Sequence, residues 1–182
     1  MGAADDDRAE QDLVEALLGA HARARELLEA AIHVLEEPET DDEIAADIAA
    51  TMHRFLTFTN PQHELDEEQM IFPALRATGR KEEVAPALEN MVEAHEIFDT
   101  QRELLATRWE EVARNPSCLR DERLSLLTMT ETLARALDQH RQHEDRAIFP
   151  LIRKYLHPET QSRILAVLSR REARPQDELL RT

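Results

Sequence analysis

His140-Arg141-Gln142-His143-Glu144-Asp145-Arg146-Ala147-Ile148-Phe149-Pro150 has a counterpart upstream in His63-Glu64-Leu65-Asp66-Glu67-Glu68-Gln69-Met70-Ile71-Phe72-Pro73. Each copy places Glu four residues after a His, followed by Ile-Phe-Pro, with Pro ten residues after that His. Residues i and i+4 of a helix lie one above the other on the same face. Each copy therefore offers an imidazole nitrogen and a carboxylate oxygen to one point beside a helix. A single such pair is ordinary surface chemistry; two in the same apolar frame are not.

The duplication extends further. Ala20-His21 and Ala94-His95 lie on helical patterns upstream of the two copies. His21 and His95 are 74 residues apart, and His63 and His140 are 77 apart. Near-equal offsets indicate a two-helix unit present twice. A lone His on an apolar face is usually a hydrogen-bonded core residue. His21 and His95 depart from that reading because each shares an inner face with a His-Glu pair.

Composition fits an all-α chain. Ala, Leu, Glu and Arg dominate, Gly occurs only 3 times, and aromatics are 4% of the 182 residues. That length supports one domain with a real core. The net charge of −16 argues against nucleic acid and anionic membrane as partners, since both need Lys and Arg. Cys118 is the only cysteine, so no intrachain disulfide forms, consistent with a reducing, cytoplasmic location. The acidic start, Met1 to Asp7, predicts no secretory signal, and no apolar run is long enough to span a membrane.

The periodicity predicts an antiparallel up-down four-helix bundle over residues 10–156, a flexible tail over 1–9, and a short additional helix and mobile tail within 157–182. The first helix is expected over Glu10–Glu37, with Val14, Leu17, Leu18, His21, Arg25, Leu28 and Leu35 on one stripe. Thr40-Asp41-Asp42-Glu43 reads as a capping box opening the second helix, with Ile44, Ile48, Phe55 and Phe58 inward. Asn60-Pro61 predicts a kink or short break, with Asn60 as a new cap. The third helix is expected over Lys81–Asn115, with Val84, Leu88, Met91, His95, Phe98 and Leu105 inward. The fourth is expected over Leu119–Leu156, bent at Pro150 as the second is at Pro73, with Leu126, Met129, Leu133, Leu137, His140, Glu144, Ile148 and Leu151 inward.

Packed together, these faces aim His21, His63, Glu67, His95, His140 and Glu144 at one volume. Imidazoles with carboxylates suit iron or manganese, and a carboxylate has two oxygens with which to bridge two ions. Six donors are too many for a closed tetrahedral zinc site. Ferritin-like centres use Glu three residues before His, and none of the eight histidines has one.

The HxxxE…FP repeat, with an extra His on each preceding helix, resembles the hemerythrin-like HHE cation-binding domain over roughly residues 12–156. The resemblance implies a four-helix bundle around two non-haem irons, oxo- or hydroxo-bridged. His21, His63, Glu67, His95, His140 and Glu144 would be the ligands, with the two glutamates bridging. Oxygen-carrying hemerythrins have a second His one turn along the third helix; that position is Asp99, a further candidate ligand. They also place the fourth-helix carboxylate five residues after its His, where Asp145 stands, but the match with Glu67 favours Glu144.

The resemblance implies binding of or reaction with dioxygen, peroxide or nitric oxide, for sensing, scavenging or iron handling. A small diiron oxidase, oxygenase or peroxidase acting on an organic substrate and a non-catalytic, metal-braced module are the alternatives. Manganese or a mixed-metal centre satisfies the same donor spacing, and either a monomer or a homodimer is compatible. Glu68, Glu96 and Asp145 are assigned to solvent or to the far nitrogens of ligand histidines, Phe72 and Phe149 to the pocket wall, His143 to the surface or to a place behind the ligands, and His33, His53 and His157 to surface or packing roles.

Overall fold

The structure is a computed structural model and describes residues 12–172. Both expected tails, 1–9 and beyond Pro175, and the expected helix start at Glu10 fall outside the described residues. The first helix, α1, spans Leu13–Glu36, capped by Asp12, whose carboxylate accepts the Val14 N–H. Its buried stripe runs Leu13, Val14, Leu17, His21, Leu28, Ala31 and Leu35. Arg25 leaves the expected stripe to pair with Asp138 across the α1 surface, and Leu18 is 39% exposed.

The second helix, α2, runs as one path through Asp42–Arg54, Phe55–Thr59, Asn60–Asp66, Glu67–Ile71 and Phe72–Ala77. Asp41, not Thr40, is its cap: the Asp41 side chain accepts the Glu43 N–H at 2.8 Å. The Thr40 hydroxyl instead donates to the Val34 and Glu37 carbonyls at the end of α1. Ile44 is 54% exposed, and the inner stripe is Ala45, Ala49, Met52, Phe55 and Leu56: Phe55 faces inward as expected, while Ala45 and Ala49 replace Ile44 and Ile48. Ile48 and Phe58 are half-buried.

No break occurs at Asn60-Pro61. Asn60 is helical, φ −71° and ψ −46°, and its N–H bonds to the Phe55 carbonyl five residues back. A proline ring collides with the carbonyl four residues before it. The wider π-turn Phe55–Thr59 lies directly before Pro61 and lets the helix continue. The same solution recurs at Glu67–Ile71 before Pro73 and at Glu144–Ile148 before Pro150, where bends were expected. Gly79, at φ 74°, ends α2 in the left-handed conformation that glycine adopts without steric cost.

The third helix, α3, spans Lys81–Arg114 with the expected inner stripe. A short 3-10 turn, Pro116–Cys118, leads into the fourth helix, α4, made of Leu119–His143, Glu144–Ile148 and Phe149–Tyr155. The extra residue of its π-turn rotates the following face: Ile152 is fully buried where Leu151 was expected, and Leu151 is half-buried. Thr130 is buried, with neighbouring Met129 only half so. The fifth helix, α5, spans Pro158–Glu172.

Two apolar clusters show the chain direction. One joins the end of α1 (Leu28, Leu35) to the start of α2 (Ala45, Met52), the end of α3 (Leu105, Trp109) and the start of α4 (Leu119, Leu126). The other joins the start of α1 (Leu13, Leu17) to the end of α2 (Phe72, Leu75), the start of α3 (Leu88, Met91) and the end of α4 (Phe149, Ile152). Neighbouring helices are therefore antiparallel, up and down, as the short connections require. Ile164 of α5 joins the second cluster and covers that end. No helix among the described residues is long and apolar enough to cross a membrane.

Candidate metal centre

Between the two apolar clusters the inner faces turn polar. α1 contributes His21, α2 contributes His63 and Glu67, α3 contributes His95, and α4 contributes His140 and Glu144. All but His63 are buried, and His63 retains 22% side-chain exposure. The six donors form two groups of four: His21, His63, Glu67 and Glu144; then Glu67, His95, His140 and Glu144. Within each group every donor atom lies within 4.8 Å of the others. The two glutamates belong to both.

Their oxygens are divided between the groups. Glu144 Oε2 is 3.0 Å from His21 Nε2, and Oε1 is 2.9 Å from His140 Nε2. Glu67 Oε1 is 3.3 Å from His63 Nε2, and Oε2 is 3.5 Å from His95 Nε2. His21 and His63 approach Nε2 to Nε2 at 3.0 Å, and His95 and His140 at 3.3 Å. Yet Glu67 Oε2 and both Glu144 oxygens, fully buried, have no hydrogen-bond partner among the described residues. Buried carboxylate oxygens are costly to leave unpaired. Donors bound about 2.1 Å from one cation at right angles sit about 3 Å apart. The spacing thus fits donors converging on cations better than donors paired with each other.

The electrostatics agree. Burial pushes Glu67 well above the usual carboxylate range, and the nearby Glu144 carboxylate adds to the rise. Burial pushes Glu144 upward too, but His140 and His21 outweigh it and hold that carboxyl low. His63 is pushed down to about 3, by burial first and by the His21 imidazole next, partly opposed by Glu144. A neutral imidazole is the form that binds a metal.

The surroundings hold the rings. Phe149 stacks on His21 with centroids 5.8 Å apart, Phe72 stacks on His95 at 6.3 Å, and Phe98 meets His140 edge-on at 5.3 Å. Glu68 Oε1 lies 2.7 Å from His95 Nδ1, the far nitrogen of that ring. Metal-ligating histidines are commonly oriented in this way.

Asp99 stands apart from both groups. Its carboxylate is 57% exposed and takes the Arg102 Nη2 donor, so the turn after His95 supplies no donor to the cluster. Asp145 and His143 are exposed, as is His33. His53 Nδ1 lies 3.1 Å from the Ala106 carbonyl, and His157 Nδ1 accepts the Glu159 N–H.

A buried polar chain beside the cluster is not legible in the helical periodicity. Asn60 Nδ2 donates to Glu64 Oε1 at 2.6 Å, and Arg102 Nη1 donates to Glu64 Oε2 at 2.6 Å. Arg102 falls at helical spacing between Phe98 and Leu105, and a charge inside that apolar stripe is the signal that could have revealed it. Arg141, 5% exposed, was missed as well. A cavity of about 40 Å³ lies against His21, His63 and His140, bordered by Ala20, Ala24 and Arg141.

Comparison with known families matches residues 12–164 to the model described as "Hemerythrin HHE cation binding domain". No curated protein and no solved structure matches the chain.

Proposed function

Because this chain belongs to the hemerythrin HHE cation-binding family, we propose that it is a non-haem diiron protein that binds or reacts with dioxygen, peroxide or nitric oxide. The carrying observation is the division of carboxylate oxygens: each glutamate presents one oxygen to each histidine pair. His21 and His63 would hold one ion, His95 and His140 the other, and Glu67 and Glu144 would bridge them. Bound iron would supply one-electron redox change and a coordination position open to a small molecule.

The protein's own groups set the conditions. Phe72, Phe98 and Phe149 wall the cluster with apolar rings and limit the entry of water. Glu68 fixes the orientation of His95. The cavity of about 40 Å³ is small beside the pockets of about 300–1,000 Å³ that hold organic ligands. That size favours a diatomic or peroxide ligand over an organic substrate.

Metal analysis with Mössbauer spectroscopy tests this function. The purified chain should carry about two irons, as a dinuclear centre demands. His63→Ala and His140→Ala should each abolish the paired-iron signal. Iron content unchanged in both variants, or a chain that takes up manganese alone, would overturn the proposal.

A further inference from the structure

Each candidate bridging glutamate opens a π-turn. The Phe72 N–H bonds to the Glu67 carbonyl and the Phe149 N–H to the Glu144 carbonyl, both five residues back. Pro73 and Pro150 come next, six residues after the glutamate. The Asn60 N–H bond to the Phe55 carbonyl, with Pro61 next, repeats the arrangement.

The facing of these side chains depends on that wider turn. Residues five apart in a plain α-helix point about 140° away from each other. A turn closed five residues back instead brings the fifth residue over the first. Glu67 accordingly meets His63 and His95 while Phe72 stacks on His95. Glu144 meets His21 and His140 while Phe149 stacks on His21. In a plain α-helix either the carboxylate or the ring would leave the cluster.

A π-turn is the rarer form, so a local cause is needed to hold it. In the α form Pro73 would collide with the Gln69 carbonyl and Pro150 with the Arg146 carbonyl. Both carbonyls lie inside the π-turns, so each ring penalises the α alternative at that place. Pro86 of α3 is carried without a π-turn, but it lies close to the start of its helix. Pro73 and Pro150 are exposed, and trimming either opens no cavity in the core.

We infer that Pro73 and Pro150 are positioning residues for the metal centre: each locks the π-turn that keeps a bridging glutamate and its phenylalanine on one face. The inference rests on the diiron function proposed above and adds to it two residues outside the donor set.

The test uses the full chain, iron-loaded and metal-free. Iron affinity of Pro73→Ala, measured by chelator competition, should fall about 10–100-fold, the range for changes behind a ligand. Hydrogen exchange at the Phe72 amide of the metal-free variant should quicken about tenfold as the turn opens. Deleting the exposed Gln69 from that variant removes the extra residue. Glu67 and Phe72 then stand four apart on one α-helical face, and iron affinity should return to within about threefold of the unmodified chain. A proline that only stabilised the helix would gain nothing from the deletion. Pro150→Ala, with and without deletion of the exposed Arg146, should repeat the pattern through Glu144. Unchanged iron affinity in both proline variants, or a loss that the deletions leave in place, would overturn the inference. Should Pro73→Ala fail to fold, the Pro150 variants decide by the same criteria. Absence of iron from the unmodified chain would overturn the diiron function itself, whereas unchanged Phe72 exchange in metal-free Pro73→Ala would overturn the hold of the proline on its turn.

Discussion

His95 Nδ1 lies 2.7 Å from Glu68 Oε1, so a carboxylate on α2 steadies a ring carried by α3. The corresponding Nδ1 atoms of His21 and His140 are buried without such a partner among the described residues. Orientation of one candidate ligand therefore depends on a side chain next to Glu67. Glu68→Ala should weaken metal affinity by about 10–100-fold. Glu68→Gln, whose amide oxygen can still accept the ring N–H, should recover part of that loss. Competition against a chelator measures both, and equal affinity in all three proteins would exclude the positioning role.

Glu67 should affect stability with opposite signs in the metal-free and loaded protein. Without metal, burial and the Glu144 carboxylate hold its carboxyl well above the ordinary 4.5. A raised folded value contributes stability that is fully present below 4.5 and lost as pH rises through the folded value. Glu67→Gln removes that dependence. The metal-free variant should gain on the order of 1–3 kcal/mol over metal-free parent at neutral pH, with the gain shrinking toward acid. The same variant should lose paired iron. Denaturant titrations of stripped protein across pH check the first part, and iron analysis checks the second.

The buried pair of Arg102 and Glu64 ties α3 to α2 beside the cluster, with 2.6 Å between Nη1 and Oε2. Removing one partner leaves the other charge buried and alone. Arg102→Ala should cost about 3–5 kcal/mol in chemical unfolding. The double change Arg102→Met with Glu64→Leu should restore most of it. A single variant as stable as the parent would show that water already meets the Glu64 charge.

Much of the architecture could be read from local patterns. A His and a Glu four residues apart share a helix face whatever surrounds them, so both His-Glu pairs were visible, and their duplication marked the inner faces of α2 and α4. His95 was legible because it repeats with Leu88 and Met91 on α3. Helix ends were legible where a breaker had no alternative, as at Pro38 and Asn115-Pro116. At Pro61, Pro73 and Pro150 an alternative existed: a π-turn absorbs each ring and keeps the helix running. That choice depends on packing that holds the chain helical on both sides, which no window of sequence contains.

Tertiary structure alone decided how the polar side chains divide their partners. Asp99 has the helical position of a ligand but is drawn to Arg102, which is itself held by Glu64 from another helix. The assignment of each oxygen of Glu67 and Glu144 to a different histidine pair requires four helices at fixed spacing. Helical periodicity acts over a few residues and sets which face a side chain occupies. Competition among donors and acceptors acts across the bundle and sets which atom each side chain finally meets.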